Sequence, residues 1–274
     1  MEATGLYRAI QESSILSPHS LRIFPLMMEE KLSQEYKISK RELLIEVCSL
    51  DIIPERYSRN YATYSAMEQK RLLSSSVFVV GMGGIGGSVL ELLARVGIGR
   101  IFCADGDRFE GSNLNRQAFS SESVLGQDKA LVGYRRLSDI SSVSEYQCID
   151  SFLNREMMCD VLSGNDIVID ALGGLRDKPL LAEVCRERKY PLVCSSIAGL
   201  CGYVSFVPVG GVAPTDWLGA DAGIEEKVGN LPQTVSFASS CMVQMCIDFL
   251  LGKMCASQSL LFDIGNFHIE RVEM

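Results

Sequence analysis

Four apolar residues, Val77-Phe-Val-Val80, run directly into Gly81-Met-Gly-Gly-Ile-Gly86, and this junction constrains the fold more than any other part of the 274-residue chain. Glycines let the backbone approach a neighbour with no Cβ in the way. The first turn of a helix that comes next presents unpaired N–H groups and a partial positive charge, which suit a phosphate. The stripe Leu90, Leu93 and Val96 and the apolar run Ile101 to Ala104 complete strand, glycine turn, helix and strand within about thirty residues, the length of one βαβ unit. Asp105 closes the second strand, 24 residues after Gly81, where a carboxylate can accept from ribose hydroxyls. Gly81, Gly83, Gly84, Gly86 and Asp105 therefore form a candidate nucleotide site. ATP and NAD both carry a ribose and a phosphate chain, so this unit alone leaves both open.

The alternation continues along the chain. Helices are predicted near Lys129 to Leu137, Arg155 to Leu162 and Pro179 to Arg188, and strands around Tyr146 to Ile149, Ile167 to Ile169 and Leu192 to Cys194. The pattern then changes to an extended run at Gly202 to Val207, a long Gly/Pro/Asp loop from Val209 to Pro232, a helix at Val235 to Leu251, and strands at Leu260 to Ile264 and Phe267 to Val272. An α/β fold is expected, a mostly parallel sheet flanked by helices with antiparallel edge strands. Upstream, Ser39-Lys-Arg-Glu42 and Ser65-Ala-Met-Glu68 have capping-box form. Residues 1–54 are read as a helical extension whose last helix Pro54 ends, and residues 55–274 as the nucleotide-binding domain.

Composition removes several function classes. A net charge of −8 with no long Lys/Arg run leaves no surface to track a nucleic acid. Charges interrupt the first thirty residues, and the apolar stretch from Val77 is too short to span a bilayer, so a cytoplasmic protein without a membrane partner is expected. Ten scattered cysteines with no Cys-x-x-Cys pair read as reduced, mostly buried thiols, and no zinc is expected. His19 and His268 have no neighbours that suggest a catalytic base.

The segment beyond Asp105 separates the two nucleotides. Asp105-Gly-Asp107-Arg-Phe-Glu-Gly-Ser-Asn113-Leu-Asn115-Arg116-Gln117 and then Lys129 set amides and two cations just past the ribose carboxylate. Displacement at an α-phosphate needs such cations for the charge on phosphate and pyrophosphate, whereas hydride transfer does not. A NAD-dependent oxidoreductase would leave Arg116 and Lys129 unexplained.

These residues resemble the bacterial ThiF/MoeB/HesA family, prokaryotic relatives of ubiquitin-activating (E1) enzymes. The signatures fall in order: Glu55-Arg56-Tyr57-Ser58-Arg59-Asn60, the glycine turn, Ser112-Asn113-Leu114-Asn115-Arg116-Gln117 with Lys129, and Val168-Ile169-Asp170. The resemblance covers roughly residues 55 to 272 and implies a Rossmann-like adenylation domain. It implies that ATP activates the C-terminal glycine carboxylate of a ubiquitin-like or sulfur-carrier protein, or of a peptide, as an acyl-AMP. In that family pattern Asp105 would hold the ribose, with Asp107 nearby. Asn113, Arg116, Gln117 and Lys129 would grip the triphosphate, Asp170 would hold Mg²⁺, and Arg59 would reach across a homodimer to the partner's ATP.

The chain departs from the family in three places. The segment after Val207 lacks the paired zinc cysteines, the loop Asp221 to Asn230 lacks a cysteine, and Asp170-Ala-Leu-Gly-Gly174 lacks the usual Asp-Asn after the aspartate. Cys241 and Cys246 sit at apolar spacing in a helix, a poor setting for a reactive thiol, so adenylation without a covalent second step is expected. A small carboxylic acid as acceptor, and a non-catalytic subunit paired with an active E1-like chain, remain as alternatives.

Overall fold

The computed structural model describes residues 2–18, 20–218 and 225–273; His19 and residues 221–224 of the cysteine-free loop lie outside them. The N-terminal region comprises α1 (Glu2–Ser13), β1 (Ile15–Leu16), β2 (Arg22–Phe24), α2 (Met27–Tyr36), α3 (Lys40–Ser49) and β3 (Ile53–Pro54). It is not wholly helical as expected, because β1, β2 and β3 form a small sheet. Strands of two or three residues are too short to show a period in sequence. Helix α3 also ends before Pro54, at Ser49, and Pro54 lies in β3. Both capping boxes form: Ser39 Oγ accepts from the Glu42 amide at 3.1 Å, and Ser65 Oγ from the Glu68 amide at 3.2 Å.

Next come α4 (Ala66–Ser74), β4 (Ser76–Val80), α5 (Gly84–Val96), β5 (Arg100–Ala104), α6 (Lys129–Ile140), β6 (Glu145–Ile149), α7 (Arg155–Val161) and β7 (Ile167–Asp170). After them run α8 (Lys178–Arg188), β8 (Leu192–Ala198), β9 (Cys201–Val207), α9 (Thr215–Leu218), α10 (Glu225–Val228), α11 (Pro232–Leu250), β10 (Gln258–Asp263) and β11 (His268–Glu273). The main sheet has the order β11-β10-β9-β8-β7-β4-β5-β6, parallel from β8 to β6 and antiparallel from β8 to β11. The chain leaves β4 toward β5 and later returns on its other side as β7. A reversal of this kind opens a crevice at the C-terminal ends of the strands.

Both faces of the parallel part are covered, which is why its strands read as unbroken apolar runs. Successive side chains of β4 point to opposite faces: Val77 and Val79 pack in the cluster that includes α5 and α11, Phe78 and Val80 in the one that includes α8. The register sets Ile149, Ala104, Val80, Asp170 and Cys194 in one row. The residues just after them therefore emerge at one edge.

The N-terminal cluster around Leu43, Leu44 and Val47 also contains Tyr57, Leu73 and Val143. Glu29, almost wholly buried, takes both Nε and Nη2 of Arg56, at 2.9 and 2.5 Å. Leu26 N donates to Glu55 at 2.7 Å. Two residues of the Glu55–Asn60 signature thus face the extension.

Two glycines fix the β4–α5 turn. Gly81 has φ +95°, and a Cβ there would lie 2.7 Å from the Ala171 carbonyl; a Cβ on Gly86 would lie 1.9 Å from the Gly81 carbonyl. In a helix interior alanine is favoured over glycine by about 1 kcal/mol, but this contact reverses the sign. Gly86→Ala is expected to cost about 1–3 kcal/mol. Gly111→Ala, which meets nothing within 4 Å, should stay within about 0.5 kcal/mol of wild type. Denaturant unfolding of both variants checks the contrast.

Candidate nucleotide site

A cavity of about 390 Å³ opens where the sheet reverses, within the range of small-molecule sites, about 300–1,000 Å³. Gly81, Gly83, Gly84 and Ile85 line it at the turn, Asp105 and Asp107 beside β5, and Ser151, Phe152 and Leu153 after β6. Asp105 straps the turn in place: one carboxylate oxygen accepts from Met82 N at 2.7 Å, the other from Asp107 N at 2.9 Å. Each oxygen keeps further acceptor capacity for a ribose hydroxyl.

The segment after β5 folds back over the turn. A Cβ on Gly84 would lie 3.5 Å from Arg116 Cγ, and one on Gly83 3.7 Å from Gln117 Nε2, so both side chains stand over the glycines. Arg116 Nη1 donates to Ser112 O and Asn115 Oδ1, each at 2.9 Å, fixing the guanidinium. Asn113 Oδ1 accepts from Glu110 N at 3.1 Å. Lys129, the first residue of α6 and 5% exposed, reaches Asp107 Oδ2 at 3.1 Å. Asp107 is thus the lysine's counter-ion. All of Asn113, Arg116, Gln117 and Lys129 line the cavity.

Two anticipated residues stand elsewhere. Asp170 is 1% exposed and does not line the cavity; its Oδ1 accepts from Lys178 Nζ and from Leu172 N, each at 3.0 Å. Burial pushes its carboxyl up, while the neighbouring ammonium pulls it down. A carboxylate sealed in this way does not fit a divalent cation that needs open oxygen ligands. Asp170 thus stands at the end of its strand as expected, but it is paired with Lys178 and is not open to the cavity, so its expected magnesium role finds no support in this pairing. Arg59 is exposed and does not line the cavity.

Asp177, Lys178, Ser195, Phe152 and Asn230 line the cavity without having been singled out in the sequence. Pro179 marks the start of α8, a signal that could have placed Lys178 at the strand edge. Phe152, 69% exposed, stands beside Gly106, where a Cβ would lie 2.8 Å from its ring. Three polar atoms on lining residues are buried without partners: Gln117 Oε1, Ser195 Oγ and Asn230 Oδ1. Buried polar atoms are seldom left unpaired, so their grouping points to a polar ligand. Among the described residues no group of three or more His, Cys, Asp or Glu is placed to hold a metal. Burial raises the thiols of Cys241 and Cys246, against thiolate formation.

The ThiF family profile matches residues 57–274. The chain is 31% identical over 191 residues to the SAMP-activating enzyme E1 of Haloferax volcanii, covering 66% of this chain and 71% of that protein. It is 34% identical over 137 residues to the sulfur carrier protein adenylyltransferase of Thermus thermophilus, covering 50% and 51%. The chain thus spans about half the length of that second relative. The fold resembles E. coli MccB crystallised with AMPCPP and MccA, with a TM-score of 0.69 at 21% identity over 80% of this chain and 71% of that one.

Removing one partner of a buried pair leaves an uncompensated charge. Lys178→Met is expected to lower stability by about 3–5 kcal/mol, and adding Asp170→Asn should recover most of that loss. Urea unfolding of the single and double variants checks both.

Proposed function

This chain belongs to the ThiF family, and from that premise we propose that it is an E1-like adenylyltransferase, which joins the AMP moiety of ATP to the C-terminal carboxylate of a small ubiquitin-like or sulfur-carrier protein. The observation that carries the reading is one cavity in which the glycine turn, Asp105, Arg116 and Lys129 converge. In this reading residues 55–274 carry the reaction and residues 1–54 brace the Glu55–Asn60 segment.

Asp105 holds the ribose, and the amides of the glycine turn meet the phosphates at the N-terminus of α5. Arg116, Asn113, Gln117 and Lys129 take the pyrophosphate end. A carboxylate oxygen of the acceptor attacks the α-phosphorus. As the new P–O bond forms, the bond to the bridging oxygen breaks, and pyrophosphate leaves with the electron pair. The attacking group is already ionised, so no protein base is required. The chain contributes position and charge stabilisation.

Magnesium would travel with the phosphates, keeping most of its ligands as phosphate oxygens and water. Asp177, an exposed carboxylate that lines the cavity, is the acid on this wall open to it. Zinc has no part in the reading. Cytoplasmic placement suits the ten cysteines, all free thiols, and no helix among the described residues is long and apolar enough to cross a membrane. A peptide acceptor is the second reading, favoured by the MccB-like fold with its bound MccA.

ATP–pyrophosphate exchange, with carriers and peptides ending in glycine, tests the activity. Arg116→Ala or Lys129→Ala should lower the exchange rate about 10²–10³-fold, the scale of one lost charge-stabilising donor. No exchange with any acceptor in wild type would overturn the reading.

Arg59 is proposed to complete the partner's site in a two-fold dimer. Mixing the inactive variants Arg59→Ala and Arg116→Ala should then restore about one quarter of wild-type activity, because half the dimers are mixed and each of those has one intact site. Absence of recovery in mixed dimers, after subunit exchange is confirmed, would contradict the proposal.

A further inference from the structure

We infer that Lys178 and Ser195 form the seat of the acceptor's carboxylate, an inference that rests on the adenylation reading above. Lys178 Nζ carries three donors. One goes to Asp170 Oδ1 and one to the Ser195 carbonyl, each at 3.0 Å, leaving the third for a group in the cavity that Lys178 lines. Ser195 also lines the cavity; it is 1% exposed, and its Oγ has no hydrogen-bond partner. An unpaired buried hydroxyl is costly unless a bound ligand accepts from it. Here it lies next to the carbonyl that already holds Lys178.

The strand order gives this pair a distinct place. Asp105 comes after β5 and the glycine turn after β4, whereas Lys178, the first residue of α8, reaches Asp170 at the end of β7 and Ser195 within β8, on the far side of the turn from Asp105. A nucleotide with its ribose at Asp105 and its phosphates over the turn leaves this wall for whatever approaches the α-phosphorus. The Lys178–Asp170 pair is neutral as a unit, so the spare N–H and the hydroxyl can donate to an anionic oxygen without stranding a cation in its absence. During transfer one carboxylate oxygen bonds to phosphorus as pyrophosphate departs. The other remains as the acyl carbonyl oxygen, held by Lys178 and Ser195. The site thereby favours a free carboxylate over an amide or ester, which cannot supply both the attacking oxygen and the one that is held.

The test compares 5′-O-(N-glycylsulfamoyl)adenosine, a stable mimic of a glycyl adenylate, with AMP by calorimetry. In Ser195→Ala the mimic should lose affinity about ten- to hundredfold, the worth of a hydrogen bond to a charged or strongly polarised oxygen, while AMP changes less than about twofold. Ser195→Ala removes an unpaired polar atom, so its unfolding midpoint should not fall. Lys178→Met combined with Asp170→Asn keeps the site neutral and should show the same selective loss. Equal losses for both ligands, no loss for the mimic, or a wild type that binds AMP and the mimic equally would overturn the inference. A wild type that binds neither AMP nor ATP would instead overturn the adenylation reading beneath it.

Discussion

The approach of α5 to the end of β4 governs everything else at this site. The helix backbone comes so near the preceding strand that a methyl group on Gly86 would collide with the Gly81 carbonyl, and one on Gly81 with Ala171. This closeness aims the first amides of α5 along the crevice at the sheet reversal, where a phosphate gains from both hydrogen bonds and the helix field. Asp105 then fastens the turn through Met82 N. The residue that closes the turn is the same one proposed to hold the ribose, so in that reading shaping the site and binding a ligand are not separable.

Charge is distributed around that turn in two different ways. Arg116 and Lys129 keep unused donors toward the cavity: Arg116 is anchored through Nη1 only, and Lys129 meets Asp107 alone. The Asp170–Lys178 pair is instead almost wholly buried and neutral as a unit, with Lys178 also donating to the Ser195 carbonyl and lining the cavity. Such a pair adds little to stability in its own right, and its structural effect is to hold the Ser195 carbonyl and fix one wall. Two cations lean into the cavity, and a neutral, rigid boundary faces them.

Much of this was legible in the sequence because the determinants are local. The glycine turn, the unbroken apolar strands and the helix between them need only neighbouring residues to be recognised, and α5, β5, α6 and β7 lie within a few residues of where periodicity put them. That Arg116 and Lys129 line the same cavity as Asp105 was likewise legible, since both follow that carboxylate in the chain. The surroundings of Asp170 were hidden for a different reason. Its strand-end position was clear, but the partner that neutralises it comes from the start of α8, eight residues on and folded back against it. Phe152 and Asn230 reach the cavity from loops without a periodic signal, and the short N-terminal strands have too few residues to show one. Pairwise burial across distant segments is what the sequence alone did not disclose.

A crystal structure with the non-hydrolysable analogue AMPCPP tests the central claim most directly. The account predicts the ribose on Asp105, the phosphates against the amides of Gly83 to Gly86, and Arg116 and Lys129 within hydrogen-bonding distance, about 2.7–3.2 Å, of phosphate oxygens. Phosphates lying outside the glycine turn, with Arg116 and Lys129 turned to solvent, would contradict it.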